Sequence, residues 1–168
     1  MDALVRNLNA LLIIIYSLVI SGAFGMQVFE HEVPCPLCYI QRVGMLGICT
    51  AAYFNLRFGI RPLHYGLALL SALFGGAVAI RQVTLHVCPG TQTFGLPVFG
   101  ISLYTWSFFT FVCSTFLVAI LLILYSSSQE KKEPLNWLQK IACAFFVFVL
   151  IGNVISVVHD CGWGPCYD

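Results

Sequence analysis

Five apolar runs, each close to the length of a membrane span, constrain this chain more than anything else in it. They cover about residues 8–29, 39–54, 63–84, 104–125 and 138–158, and a helix needs roughly 20 apolar residues to cross the hydrocarbon of a bilayer. Because a backbone in lipid has to satisfy its own polar groups, the expected class is an all-α membrane protein. Composition agrees: 60% of the residues are hydrophobic and only 9% are charged, a balance foreign to a water-soluble domain of this length. The second run is short unless its helix begins inside the cysteine motif before it. A cleaved signal peptide is the competing reading of the first run, whose most apolar part, residues 11–20, is followed by Ser21, Gly22 and Ala23. In the third run, Gly75 and Gly76 are expected to let helices approach closely.

The connectors set the orientation. Residues 55–64 form a tight basic turn with Arg57, Arg61 and Pro62. Residues 85–103 read as a greasy loop that rests on the membrane surface, with Cys88, Pro89, Gly90, Pro97 and Gly100 among apolar side chains such as Phe94 and Phe99. Residues 126–134 are a polar connector. With the N-terminus in the cytoplasm, Arg6, Arg57, Arg61, Lys131, Lys132 and Lys140 fall inside, and only Arg42 and Arg81 outside; cytoplasmic loops carry such an excess of Lys and Arg. All five cysteines that lie outside the apolar runs (Cys35, Cys38, Cys88, Cys161 and Cys166) then face outward, where disulfides persist. Several spans with a cytoplasmic N-terminus and an outward-facing C-terminus are expected; in a bacterium the outer side would be the periplasm or the cell exterior. Cys49, Cys113 and Cys143 sit inside apolar runs and are expected to be small core residues. Scattered basic residues and a net charge of +1 leave no footprint for nucleic acid.

Chemistry concentrates in Pro34-Cys35-Pro36-Leu37-Cys38-Tyr39-Ile40-Gln41-Arg42. Cys-x-x-Cys spacing brings two sulfurs close enough to open and close a small disulfide, and Pro36 stiffens the turn between them. A helix that starts there aims its positive end at the sulfurs, with Arg42 one turn beyond Cys38 on the same face. A structural zinc site would need four ligands, and the usual second Cys-x-x-Cys is missing, although His31, His86, Cys88 and His159 could supply others. A purely structural disulfide across so short a loop would stabilise little, about 2 kcal/mol. Snorkelling to headgroups is the plain alternative for Arg42 and Arg81. His86 and His159 read as interfacial polar residues, and Trp106 and Trp137 as belt aromatics.

Cys35-Pro36-Leu37-Cys38-Tyr39-Ile40-Gln41-Arg42 resembles the first active-site segment of the bacterial DsbB family, inner-membrane enzymes that reoxidise the periplasmic thiol oxidant DsbA with a quinone. Residues 79–86 and 99–106 are similar to the end of that family's third span and the start of its fourth. The resemblance implies a four-helix transmembrane bundle, here with a fifth C-terminal transmembrane helix added. It implies that Cys35 and Cys38 pass electrons to ubiquinone or menaquinone, with Cys38 next to the ring and Arg42 as the cation beside it. His86 and Arg81 are further candidates for quinone binding. Cys88 matches the first cysteine of the family's second pair, the one engaged by a periplasmic DsbA-like partner. The second cysteine of that pair is absent from the loop, which leaves Cys161 and Cys166 as candidate partners for Cys88. A local Cys161–Cys166 disulfide remains the rival pairing.

The expected organisation is a DsbB-like bundle over 1–126, a cytoplasmic connector over 127–137, and a fifth helix with a cysteine-bearing tail over 138–168. The activity and location that the resemblance implies are those of a quinone-dependent protein dithiol oxidase, embedded in the lipid bilayer of the bacterial inner membrane with a cytoplasmic N-terminus and a periplasmic C-terminus, whose partners are a periplasmic DsbA-like protein and the membrane quinone pool. A vitamin K epoxide reductase-like enzyme and a non-enzymatic metal-binding or scaffold protein are the alternatives. No resident metal is expected.

Overall fold

The computed structural model describes residues 2–30, 35–86, 98–125 and 133–162. These form five helices: α1 (Asp2–Glu30), α2 (Pro36–Phe58), α3 (Pro62–Leu85), α4 (Leu103–Ile123) and α5 (Trp137–Cys161). Each is long and apolar enough to cross a membrane, and the chain is a multi-pass all-α membrane protein. Leu63, Leu70, Phe116, Ile123 and Phe148, all large and apolar, lie exposed on the outside of the bundle, where lipid rather than water is their solvent.

Local chemistry sets the helix ends. α2 and α3 each begin with a proline just inside the first turn, where the missing N–H costs nothing and φ is already helical. The second helix therefore starts inside the cysteine motif, which gives it the length that its apolar run alone lacks. Gly59, at φ 94°, ends α2, and the basic turn shrinks to residues 59–61, with Ile60 packed inside. α5 opens on a capping box in which Asn136 and Gln139 exchange side-chain and backbone hydrogen bonds.

α2 is the centre of the bundle, with α1 on one side and α3 on the other. α4 packs on α3, and α5 lies along α1 with a smaller contact on α2. Tyr16 of α1 reaches Ser114 and the Thr110 carbonyl of α4, so the first four helices meet around a common core. Close approach of α2 to α3 depends on Gly44 and Gly75. A Cβ on Gly44 would come to 3.0 Å from the Gly75 Cα, and one on Gly75 would run into the Phe111 ring of α4. Gly76 meets only an ordinary contact of 3.5 Å, so the expected role falls to Gly75 alone. The expectation for the apolar-run cysteines also needs correction: Cys49 and Cys143 are buried, whereas Cys113 is exposed. α4 packs mainly on α3, and Cys113 shares its outward side with Phe109, Phe116 and Ile120.

The two ends of the bundle differ. At one, Arg6 is buried and donates to the Gln139 side chain and the Glu133 carbonyl, while Asn9, Asn55, His64 and Tyr65 form a buried hydrogen-bonded chain. The other end carries the sulfurs.

Candidate active site

Cys35 is the N-cap of α2 and Cys38 lies in its first turn, with the Cys38 N–H donating to the Cys35 carbonyl at 2.9 Å. This turn sets the two Sγ atoms 3.0 Å apart. Gln82 of α3, fully buried, closes over them. Its Nε2 donates to Cys35 Sγ at 3.2 Å and to Cys38 Sγ at 3.4 Å. Its Oε1 accepts from Gln41 Nε2 at 2.5 Å, which fixes the sense of the amide. The Cys35 thiol is pushed well above the ordinary cysteine value, first by its hydrogen bond to the Cys38 sulfur and then by burial. Cys35 thus keeps its proton and shares it towards Cys38, while Gln82 offers a donor to whichever sulfur carries charge.

Sequence reasoning gave neither glutamine a role. Both were legible as amides inside otherwise apolar helices, and a buried amide has to find partners. Here each finds the other, and Gln82 also finds the sulfurs.

Arg42, one turn after Cys38, is buried rather than snorkelling and lies on the same face of α2 as that sulfur. Its Nη1 donates to Gln27 Oε1 at 3.2 Å and its Nη2 to the Ala23 carbonyl at 3.3 Å. The guanidinium carbon lies 4.9 Å from the Phe24 ring centroid and 5.3 Å from that of Tyr39, a cation held by two aromatic faces. His86 stands one turn beyond Gln82, its Nδ1 2.8 Å from the Gln82 carbonyl and its ring 5.1 Å from that of Tyr104. Arg81 is exposed, and no described contact ties it to the sulfurs; its neighbour Gln82 takes the buried position. Cys161 ends α5 and is disulfide-bonded. Cys88 and Cys166 lie outside the described residues, as does most of the loop expected on the membrane surface. Among the described residues, no three His, Cys, Asp or Glu side chains converge as metal ligands.

A membrane bundle that sets a Cys-x-x-Cys pair, Cys35 buried and Cys38 half-buried, under an amide and beside a caged arginine has the groups that a membrane thiol–disulfide protein needs. The family model for disulfide bond formation protein DsbB matches residues 5–95, and the chain belongs to that family. It is 30% identical over 101 residues to a disulfide bond formation protein B of Alkalilimnicola ehrlichii, covering 56% of this chain and 62% of that one. To the protein of the same name from Cupriavidus metallidurans it is 38% identical over 93 residues, covering 53% and 56%. With that of Chromobacterium violaceum the identity is 35% over 80 residues, covering 43% and 48%. The matches thus span about half the length of these relatives. No solved structure matches the chain. The family match takes in α1, α2 and α3, and with them Cys35, Cys38, Arg42, Gln82 and Cys88; α4 and α5 lie beyond it.

Proposed function

We propose that this chain is a disulfide-generating oxidoreductase of the inner membrane, which takes electrons from a DsbA-like thioredoxin-fold protein and delivers them to a membrane quinone. The observation that carries the proposal is the Gln82 amide shared between the Cys35 and Cys38 sulfurs beside the buried Arg42. Each protein step is thiol–disulfide exchange: a thiolate attacks a disulfide sulfur, a mixed disulfide forms, and the neighbouring thiol displaces it. Two electrons and two protons pass from the partner's dithiol to a Cys88-containing disulfide and then to Cys35–Cys38. The proposed partner of Cys88 is Cys161 or Cys166, delivered to the outer face by α5. Residues 127–137 serve as a cytoplasmic connector in this topology.

The site fits a quinone. Ile40 and Val43 of α2 and Ile80 of α3 are exposed on the lipid side near the motif, so an isoprenoid tail can approach from the bilayer. Arg42 uses two N–H groups on Gln27 and Ala23 and has others for a carbonyl oxygen; His86 is a second candidate donor. A bound quinone, ubiquinone or menaquinone, supplies the two-electron acceptor. The protein contributes a sulfur pair with a fixed proton on Cys35, a donor to both sulfurs, and a caged cation where negative charge develops.

Purified protein in lipid nanodiscs should oxidise a reduced thioredoxin-fold partner with stoichiometric loss of quinone, and Cys35→Ser should abolish the reaction. Wild-type protein that holds stoichiometric zinc or copper and fails to reduce quinone would return the reading to a metal-binding scaffold. Non-reducing peptide mapping would settle the second pair, by joining a tail peptide either to the Cys88 peptide or to itself.

A further inference from the structure

We propose that Asp160, on the helix beyond the family match, is a positioning residue for the redox pair: it fixes the Gln27 amide and the Tyr39 ring, and through them Arg42. Asp160 stands near the end of α5, where α5 meets α1 and α2. Its Oδ2 accepts from the Tyr39 hydroxyl at 2.5 Å, from Gln27 Nε2 at 2.6 Å and from Ser156 Oγ at 3.3 Å. Its Oδ1 lies 2.9 Å from His159 Nδ1. Ser156, one turn earlier on the same face, also receives Gln27 Nε2 at 3.2 Å.

An ionised carboxylate only accepts hydrogen bonds. Gln27 must therefore turn its NH2 towards Asp160, which leaves its Oε1 for Arg42 Nη1. The reversed amide would set an oxygen against the carboxylate and an NH2 against the guanidinium, losing both bonds at once. Tyr39 is fixed in the same way, because its O–H has a strong acceptor and its ring is one of the two that face Arg42. Of the four contacts that hold the guanidinium, those to Gln27 and Tyr39 depend on Asp160, and those to Ala23 and Phe24 belong to α1. The fifth helix thereby reaches the redox pair without touching a sulfur.

The inference rests on the function proposed above only for its quinone readout. Two effects of removing Asp160 have opposite signs. Loss of a negative charge, acting directly, favours the charged, reduced cysteines and raises the midpoint potential of the Cys35–Cys38 couple. Loss of the hold on Arg42 disfavours them and lowers it. The test is to equilibrate full-length Asp160→Asn and Asp160→Ala proteins with dithiothreitol redox buffers and to read thiols by gel shift.

The expected result is a lowered potential, in the same direction as Arg42→Met, with no further lowering when Asp160→Ala is added to Arg42→Met, where only the direct charge effect, of opposite sign, is left. Asp160→Glu, which keeps the acceptor, should stay near wild type, and Tyr39→Phe should shift the potential the same way by less. With short-chain ubiquinone as probe, the apparent KM should rise roughly fivefold while kcat at saturating quinone holds, less than the rise in Arg42→Met, because the bond from the charged group is misplaced and not removed. A raised or unchanged potential in the wild-type background, or a lowering by Asp160→Ala that persists in the Arg42→Met background, would overturn the inference. The potential needs neither quinone nor partner, so it still tests Asp160 in a protein that failed to reduce quinone, an outcome that would instead refute the proposed function.

Discussion

Gln82→Leu removes a side chain that donates to both sulfurs while nearly preserving volume. The leucine lacks the N–H groups that reach Cys35 and Cys38 at 3.2 and 3.4 Å, and it leaves Gln41 Nε2, now bonded to Gln82 Oε1, without an acceptor in a buried position. A hydrogen bond to a charged acceptor contributes about 1.5–3 kcal/mol, and the lower figure suits a sulfur acceptor. A disulfide accepts more weakly than a thiolate, so the loss falls on the reduced state. For a two-electron couple 30 mV corresponds to about 1.4 kcal/mol, so the potential should fall by roughly 30 mV. Orphaning Gln41 should also destabilise the fold by about 1–3 kcal/mol, partly offset by the buried leucine. Redox titration against dithiothreitol buffers measures the first effect and detergent unfolding the second. Gln41→Leu, which leaves the Gln82 donor in place, should move the potential less. A Gln82→Leu protein that unfolds normally yet keeps the wild-type potential, or a higher one, would show that the amide does not act on the sulfurs.

Other expectations follow from the same geometry. Arg42→Met should raise the apparent KM for quinone by tenfold or more, from a lost charge-assisted bond of about 1.5–3 kcal/mol, in a protein that still folds; an unchanged KM would remove Arg42 from the site. Gly75→Ala, whose Cβ meets the Phe111 ring, should cost about 1–3 kcal/mol by overpacking, whereas Gly76→Ala should unfold like wild type. Cys35, whose thiol is pushed up by the Cys38 sulfur and by burial, should be alkylated with a pH profile displaced upward from that of the SDS-unfolded chain. The raised value means that the reduced fold gains stability from this group below the ordinary thiol value of about 8.5 and loses it as pH rises further; a coincident or lower profile would refute the arrangement.

Hydropathy made the five helices legible, and the Cys-x-x-Cys spacing with Arg42 one turn on made the centre of the site legible, because both are local properties of the chain. Facing is not local. Cys113 sits in as apolar a run as Cys49, yet one is exposed and the other is buried, since only packing decides which side of α4 meets the bundle. Gln82 and Arg81 are adjacent, and the sequence pointed to the charged one; the helix turns Gln82 inward over the sulfurs and leaves Arg81 outside. Asp160 was readable as an acid at the outer face and nothing more, because its partners Tyr39 and Gln27 come from helices more than a hundred residues away in sequence.

The central claim is that Cys35 and Cys38 form the pair that reduces a membrane quinone. Its most direct test is an anaerobic single turnover in which the second cysteine pair cannot refill the first: fully reduced protein carrying Cys88→Ser, Cys161→Ser and Cys166→Ser, in nanodiscs, is mixed with an equivalent of short-chain ubiquinone, quenched with acid, alkylated, and mapped by mass spectrometry alongside quinol absorbance. The account predicts that one quinol appears per Cys35–Cys38 disulfide formed, with the two thiols lost at the same rate, and that Cys38→Ser forms no quinol. Quinol production that persists in Cys38→Ser, or that proceeds while Cys35 and Cys38 remain reduced, would contradict it.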